Sequence, residues 1–260
     1  MYILFKSIIR LLFITGFILA SRGAFAGPTI FINFDNQYFP YMYGDVKSPQ
    51  GLYPILLAQI FEHMDDHKIE LHSVPWKRAT RLLDMGTFGL AGLYTTPQRR
   101  KKYDFSDSFF EEQLEIFRNH QNHAHPETLK DLIGKKIALN SGWSYGEFVD
   151  AARNAHLFTA LEVRNNEQSL TLVAENRVDY TIIDQLSAQL SLTTHPKASY
   201  ISNTDFIITS NPVFIAFHKE QRMQELIQEF NLTLNMFRET GEYQKIINHF
   251  IKHYHGKHKK

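Results

Sequence analysis

The chain has 260 residues, with 28 Lys and Arg against 27 Asp and Glu, 13 His and no Cys. Lack of Cys excludes disulfides and a lipid-bearing cysteine, and the near-balanced charge gives no electrostatic case for nucleic acid. No stretch after the first 26 residues is long and apolar enough to span a bilayer.

The N-terminus reads as an export signal. Lys6 and Arg10 give a positive start, Leu11 to Ala20 an apolar stretch, and Ala24-Phe25-Ala26 an A-x-A cleavage site. An uncleaved membrane anchor is the rival reading. Cleavage after Ala26 removes Lys6, Arg10 and Arg22 and no acid, leaving 234 residues with 25 basic and 27 acidic side chains, a net charge of −2. That length supports one large domain or two small ones with real cores, and the expected location is the periplasm.

Strands then alternate with helices. Thr29 to Phe34 reads as a strand, and Tyr53 to Met64 as a helix entered through Gly51. Ile69 to Val74 alternates like a strand. Trp76 to Met85 reads as a helix that starts after Pro75 and stops at Gly86. Gly89 to Leu93 and Lys136 to Asn140 are short strands, the second followed by a Gly142 turn and a helix from Ser144 to about Ala155. Ala160 to Arg164 and Asp179 to Ile183 are strands flanking a helix near Gln168 to Glu175. Phe206 to Phe217 is mostly extended, with a break at Asn211-Pro212. Gln221 to Thr240 and Tyr243 to His253 are amphipathic helices, and the basic end from 251 to 260 reads as solvated and frayed. This alternation predicts an α/β fold with parallel sheets.

Binding sites in such folds lie at the carboxyl ends of strands. Three polar features fall there: the loop Gly92-Leu93-Tyr94-Thr95-Thr96-Pro97-Gln98-Arg99, the Ser141–Ser144 turn and Asp184. A guanidinium at Arg99 can grip a carboxylate through two parallel hydrogen bonds, although Arg99 also reads as a surface residue like Arg100, Lys101 and Lys102. Asp184 reads equally as a helix N-cap. His120, His123 and His125, and His253, His255 and His258, lack Cys neighbours and helical His-x-x-x-His spacing, so no metal site is expected. No cofactor is expected either.

Across Thr29 to Phe250 the chain resembles the periplasmic solute-binding proteins of polar amino-acid ABC transporters, extracellular solute-binding protein family 3. The segments that carry the resemblance are Tyr38-Phe39-Pro40-Tyr41, Trp76-Lys77-Arg78, Thr96-Pro97-Gln98-Arg99 with Phe105-Ser106, Gly134-Lys135-Lys136-Ile137-Ala138, and Arg177-Val178-Asp179-Tyr180-Thr181-Ile182-Ile183-Asp184. Gly51-Leu52-Tyr53-Pro54-Ile55 and Gly86-Thr87-Phe88-Gly89 depart from the family pattern and point to a divergent branch.

The resemblance implies the two-lobed periplasmic binding protein fold (type II), with two parallel-rich sheets and flanking helices joined by two hinge strands. Lobe one spans 27–112 plus 210–250 and lobe two spans 113–209. By the same resemblance Arg99 pairs with a ligand α-carboxylate, assisted by the turn Gly142-Trp143-Ser144, whose helix N-terminus favours an anion. Asp184 receives the α-ammonium with the Gly92 carbonyl. Tyr38 and Trp76 wall the ligand side chain, and Asp35 meets a basic one. Trp143 and Tyr94 replace usually small residues, Thr96 belongs to the same binding loop, and Arg78 is a candidate second cation in the cleft.

The expected function is a monomeric, non-enzymatic binding protein that delivers an L-amino acid to an inner-membrane ABC permease. Two alternatives remain. One is a ligand-sensing protein for a membrane receptor. The other is a cyclohexadienyl-dehydratase-like enzyme on the same fold, with Asp184 or Glu147 as its acid.

Overall fold

The structure, a computed structural model, describes residues 29–64 and 67–257. The expected export signal lies outside them. Strand β1 (Ile30–Asp35) is mostly apolar, with Asn33 and Asp35 as its polar residues, and almost wholly buried, as a strand covered on both faces is. It pairs in parallel with two strands. One is β5 (Ile69–Val74), with Ile30 opposite Ile69, and the other is β6 (Gly89–Leu93), with Ile32 opposite Gly89. Between β1 and β5 a small antiparallel sheet forms from β2 (Gln37–Tyr38), β3 (Met42–Asp45) and β4 (Ser48–Gln50).

Helix α1 (Leu52–Phe61) follows Gly51, whose φ is 112°. A Cβ there would lie 2.4 Å from the Tyr41 carbonyl oxygen, so only glycine fits this entry. Helix α2 (Trp76–Asp84) starts directly after Pro75, and Gly86 ends its turn. Helix α3 (Pro97–Lys102) carries Pro at its first position and leads into the short strand β7 (Tyr103–Phe105).

The second half repeats the pattern. Strands β9 (Lys136–Asn140), β10 (Thr159–Val163) and β11 (Tyr180–Asp184) run in parallel. Helices α4 (Glu147–Asn154), α5 (Asn166–Ala174) and α6 (Gln185–Thr194) flank them. Two long antiparallel strands, β8 (Phe110–Asn119) and β12 (Ile201–His218), run from one half to the other, paired from Ile201 opposite Asn119 to Val213 opposite Phe110.

Because β12 pairs with β8 along one stretch and with β6 and β7 along the next, the two expected sheets join into one hydrogen-bonded path. The order is β10-β9-β11-β8-β12-β6-β1-β5, with β7 on β12. The expected break at Asn211-Pro212 is absent. Pro212 stays in register opposite Glu111, and the irregularities fall between Asn203 and Thr209 and at Phe214/Ile215.

Helices α7 (Gln224–Glu239) and α8 (Glu242–Lys257) close the fold against the first half. α8 continues past His253, where a frayed end was expected. Ile32, Phe34, Leu56, Leu57, Phe230 and Leu234 form one core there. Ile116, Leu139, Val149 and Ile182 form another in the second half, and Leu170, Val173 and Ile183 a third on the opposite face. The parallel strands of both halves end on one crevice. Tyr38 beyond β1 touches Asp184 at the end of β11, Trp76 beyond β5 touches the turn after β9, and Asp35 at the end of β1 touches Trp143.

Candidate functional site

Aromatic side chains wall a pocket of about 30 Å³ in that crevice, room for about two waters. Tyr38, Trp76 and Trp143 line it, with Tyr94, Gly92, Met42 and Leu93 on the first half's side. Trp143 meets Tyr38 edge-on, ring centroids 4.4 Å apart. Gly92 has φ 88°, and a Cβ there would lie 2.5 Å from the Met42 methyl carbon, so this wall needs glycine.

Arg99 lines the pocket from α3. The backbone N–H of Arg99 donates to the Thr96 hydroxyl at 3.1 Å, which fixes the start of the helix. Its guanidinium donates to the Tyr94 carbonyl at 2.7 Å. Burial holds its pKa below the ordinary value, with Asp150 opposing the shift, yet an arginine stays charged under such conditions. Thr96 is thus a cap and does not line the pocket. Arg78 is exposed and does not line it either, so it is no second cleft cation.

The pocket lining also carries an acid that sequence reasoning missed, and a second acid lies behind it. Glu112, at the start of β8, lines the pocket and is buried. It accepts hydrogen bonds from the hydroxyls of Tyr53, Tyr94 and Tyr38, the last at 2.7 Å. Asp184, also buried, lies 2.9 Å from the same Tyr38 hydroxyl and faces the Tyr41 hydroxyl. Asp184 also caps α6, accepting from the backbone N–H of Ser187 at 2.7 Å, so both sequence readings of this residue meet in one side chain.

Burial, then the charge of Asp184, pushes the Glu112 pKa up to about 7 against the lowering pull of three phenols. Burial likewise raises Asp184, with Ser187 and the tyrosines opposing. Tyr38, Tyr53 and Tyr94 are raised well above their usual range by burial and by these carboxylates, and so remain neutral donors. Asp35 is buried behind this wall. It accepts from the backbone N–H of Gln37 at 3.1 Å and from the Trp143 indole, and burial pushes its pKa up to about 6.

The turn after β9 is built differently from the expectation. Ser144 lines the pocket, but α4 begins at Glu147, not at Ser144. Gly146, φ 91°, is its N-cap and packs so closely on Asn211 that a Cβ would lie 2.4 Å from the amide oxygen. Asp150 reaches back to accept from the Ser144 hydroxyl and, at 2.9 Å, from the backbone N–H of Tyr145. An acid from the chain itself therefore sits at the helix start expected to attract an anion. The Gly142 carbonyl instead accepts from the Trp76 indole at 3.1 Å. Glu147 is exposed, so burial does not prepare it as an acid.

Glu112 was legible in principle. It shares strand parity with Phe110, Leu114 and Ile116, so its side chain lies on an inward face where a lone carboxylate is rare. The arrangement offers one half-buried cation and one buried carboxyl lining an aromatic-walled pocket, with a second buried carboxyl, Asp184, outside the lining and joined to it through Tyr38. It can hold a small molecule bearing both charges.

Comparison with known proteins agrees with this architecture. The family model for bacterial extracellular solute-binding proteins, family 3, matches residues 30–253. Over 174 residues the chain is 26% identical to membrane-bound lytic murein transglycosylase F of Saccharophagus degradans, covering 65% of this chain and 33% of the relative. The chain thus spans about a third of that relative's length. Over 221 residues it is 23% identical to a protein of Haemophilus influenzae named probable amino-acid ABC transporter-binding protein, covering 84% and 82% of the two chains. Among solved structures, a histidine kinase sensor domain similar to periplasmic binding proteins superposes with a TM-score of 0.74 at 21% identity, covering 85% of this chain and 95% of that one. The match across nearly the whole described chain places it among the bacterial extracellular solute-binding proteins of family 3.

Proposed function

We propose that this chain is a non-enzymatic, monomeric periplasmic protein, exported by a signal cleaved after Ala26, that captures an L-amino acid and delivers it to an ABC transporter. The observation that carries the reading is that Arg99 and Glu112 line one aromatic-walled pocket, with Asp184 joined to Glu112 through Tyr38 just behind its lining. Arg99 takes the α-carboxylate with Ser144 and the Gly142–Trp143 backbone, Thr96 holding the helix that carries it. Asp184 takes the α-ammonium with the Gly92 carbonyl. Tyr38, Trp76, Trp143 and Tyr94 enclose the side chain, and Asp35 stands behind Trp143 toward a basic one.

The lobes of this reading are 27–112 plus 210–250 and 113–209, with β8 and β12 as the hinge. Ligand bridges a cation carried by lobe one and an acid carried by lobe two, so it binds the closed form better than the open one, and that difference drives closure. The Trp76–Gly142 and Tyr38–Asp184 contacts already span the two parts.

The test is a thermal-shift screen of the mature chain against all L-amino acids, with Arg99→Ala beside it. A ligand at a thousandfold excess over its Kd adds about 4 kcal/mol of stability. A shift for one amino acid, lost in Arg99→Ala, is the expected result. Equal binding by Arg99→Ala would refute the mechanism.

A further inference from the structure

Tyr38 has one hydroxyl hydrogen and two carboxyl partners. Its oxygen lies 2.7 Å from one Glu112 oxygen and 2.9 Å from one Asp184 oxygen, both within hydrogen-bond distance. A single phenol can donate to only one of them. With both carboxyls ionised, the other contact sets two lone-pair-bearing oxygens against each other in a buried place, which is unfavourable. If one carboxyl carries a proton, the chain closes: the acid donates to the Tyr38 oxygen and Tyr38 donates to the remaining carboxylate. Two carboxyls at such range do not both ionise readily, and their protons belong to the pair.

We propose that Glu112 and Asp184 hold one shared proton across Tyr38, and that together they form an ammonium site whose occupant displaces that proton. Glu112 thereby becomes a ligand-binding residue alongside Asp184. The groups facing it fit this role. Tyr53 from α1, Tyr94 after β6 and Tyr38 and Tyr41 around β2 are neutral donors that orient the carboxyls without neutralising them. Among the described residues Arg99 is the cation that lines the pocket, and its guanidinium donates to the Tyr94 carbonyl. Glu112 titrates near 7, inside the range where a bacterium's surroundings vary.

The sign follows directly. An ammonium needs the deprotonated pair, so binding weakens as pH falls. With a site pKa of about 7 the affinity at about pH 6 is roughly tenfold below that at about pH 8. Close to one proton leaves per ligand bound at the lower pH. The occupant's identity rests on the amino-acid reading above, whereas the shared proton does not.

Two measurements test this. Infrared difference spectra of the ligand-free chain follow the protonated carboxyl stretch with pH. The expected result is a step near pH 7 that vanishes in Glu112→Gln, distinct from the step near 6 that Asp35→Asn removes. Tyr38→Phe, which keeps the ring and removes the bridge, moves the step upward because the charged form loses a donor. A step that survives Glu112→Gln, or none between about pH 5 and about pH 8, would overturn the shared proton.

Calorimetric titration with L-lysine, L-arginine, L-glutamine and L-alanine, at both pH values and in two buffers of different ionisation enthalpy, then reads proton release. Binding with release in wild type, and a pH-independent, weaker affinity in Glu112→Gln, is the expected pattern. Binding without release overturns this inference alone. Failure of all four to bind, with the infrared step intact, overturns the amino-acid reading and the ammonium site but leaves the shared proton standing.

Discussion

The two ends of the pocket are built on opposite plans. The basic end is local: Gly92, Tyr94, Thr96 and Arg99 lie within one turn and a short helix, and the bonds that fix Arg99 span three and five residues. The acidic end is assembled from afar. Tyr38 reaches Glu112 across 74 residues and Asp184 across 146, and Tyr53 reaches Glu112 across 59. A local end can be read from a motif, because the spacing itself sets the geometry. A distant one exists only once the sheet has formed. The basic end also presents a single charge with a carbonyl partner, whereas the acidic end presents two carboxyls and a set of phenols that fix their protonation.

The hardest blow to this comparison is to remove each end in turn. Arg99→Ala should lower amino-acid affinity by about thirtyfold or more, since truncating one partner of a buried charge pair costs about 2–5 kcal/mol. It should leave the fold intact. Asp184→Asn should weaken binding by a similar factor, and it should also lower stability, because Asp184 caps α6 and faces Tyr38. Titration calorimetry and chemical denaturation separate the two effects. If Asp184→Asn binds normally while Arg99→Ala does not, the acidic end belongs to the fold and not to the ligand.

The acidic end also predicts a pH dependence of stability that the basic end does not. Glu112 titrates at about 7 when folded and at 4.5 as a free side chain. The folded chain therefore keeps a proton that the unfolded chain releases. This contribution is fully present below pH 4.5 and is lost as pH rises through about 7. Its size is about 3 kcal/mol. Asp35, raised from 3.8 to about 6, acts in the same direction over a lower window. Denaturation midpoints of the ligand-free chain should fall between about pH 5 and about pH 8, and Glu112→Gln should flatten most of that slope. A flat wild-type profile would show that neither acid is held protonated.

This asymmetry also sets what was legible in the sequence. The α/β alternation, the strand cores and the placement of Arg99, Trp143 and Asp184 at strand ends follow from periodicity, Pro and Gly punctuation and the carboxyl-end rule, whereas Tyr38 and Trp76 are reached only through the family resemblance. The start of α4 did not follow. Gly142 reads as the helix-opening turn, while Gly146, whose fit depends on Asn211 from a distant strand, is the true cap. Pro212 reads as a break, yet its place opposite Glu111 in the long β8–β12 ladder keeps the strand whole. Glu112 carried only a parity signal, and its meaning depends on tyrosines from three other elements. In each case the missing information was a contact between residues far apart in sequence.

The finest test asks whether the basic end is as self-contained as it looks. Thr96 does not line the pocket, yet its hydroxyl fixes the N–H of Arg99 and so the start of α3. Thr96→Ala should reduce stability by about 1 kcal/mol, the ordinary cost of a lost N-cap. Affinity should fall less than in Arg99→Ala, because Pro97 still presets the first turn and the guanidinium still has the Tyr94 carbonyl. Arg78→Ala, exposed and outside the pocket, should change stability by no more than about 0.5 kcal/mol and leave affinity unmoved. If Thr96→Ala abolished binding outright, Arg99 would depend on its helix as fully as Glu112 depends on the sheet, and the contrast between a local and an assembled end would fail.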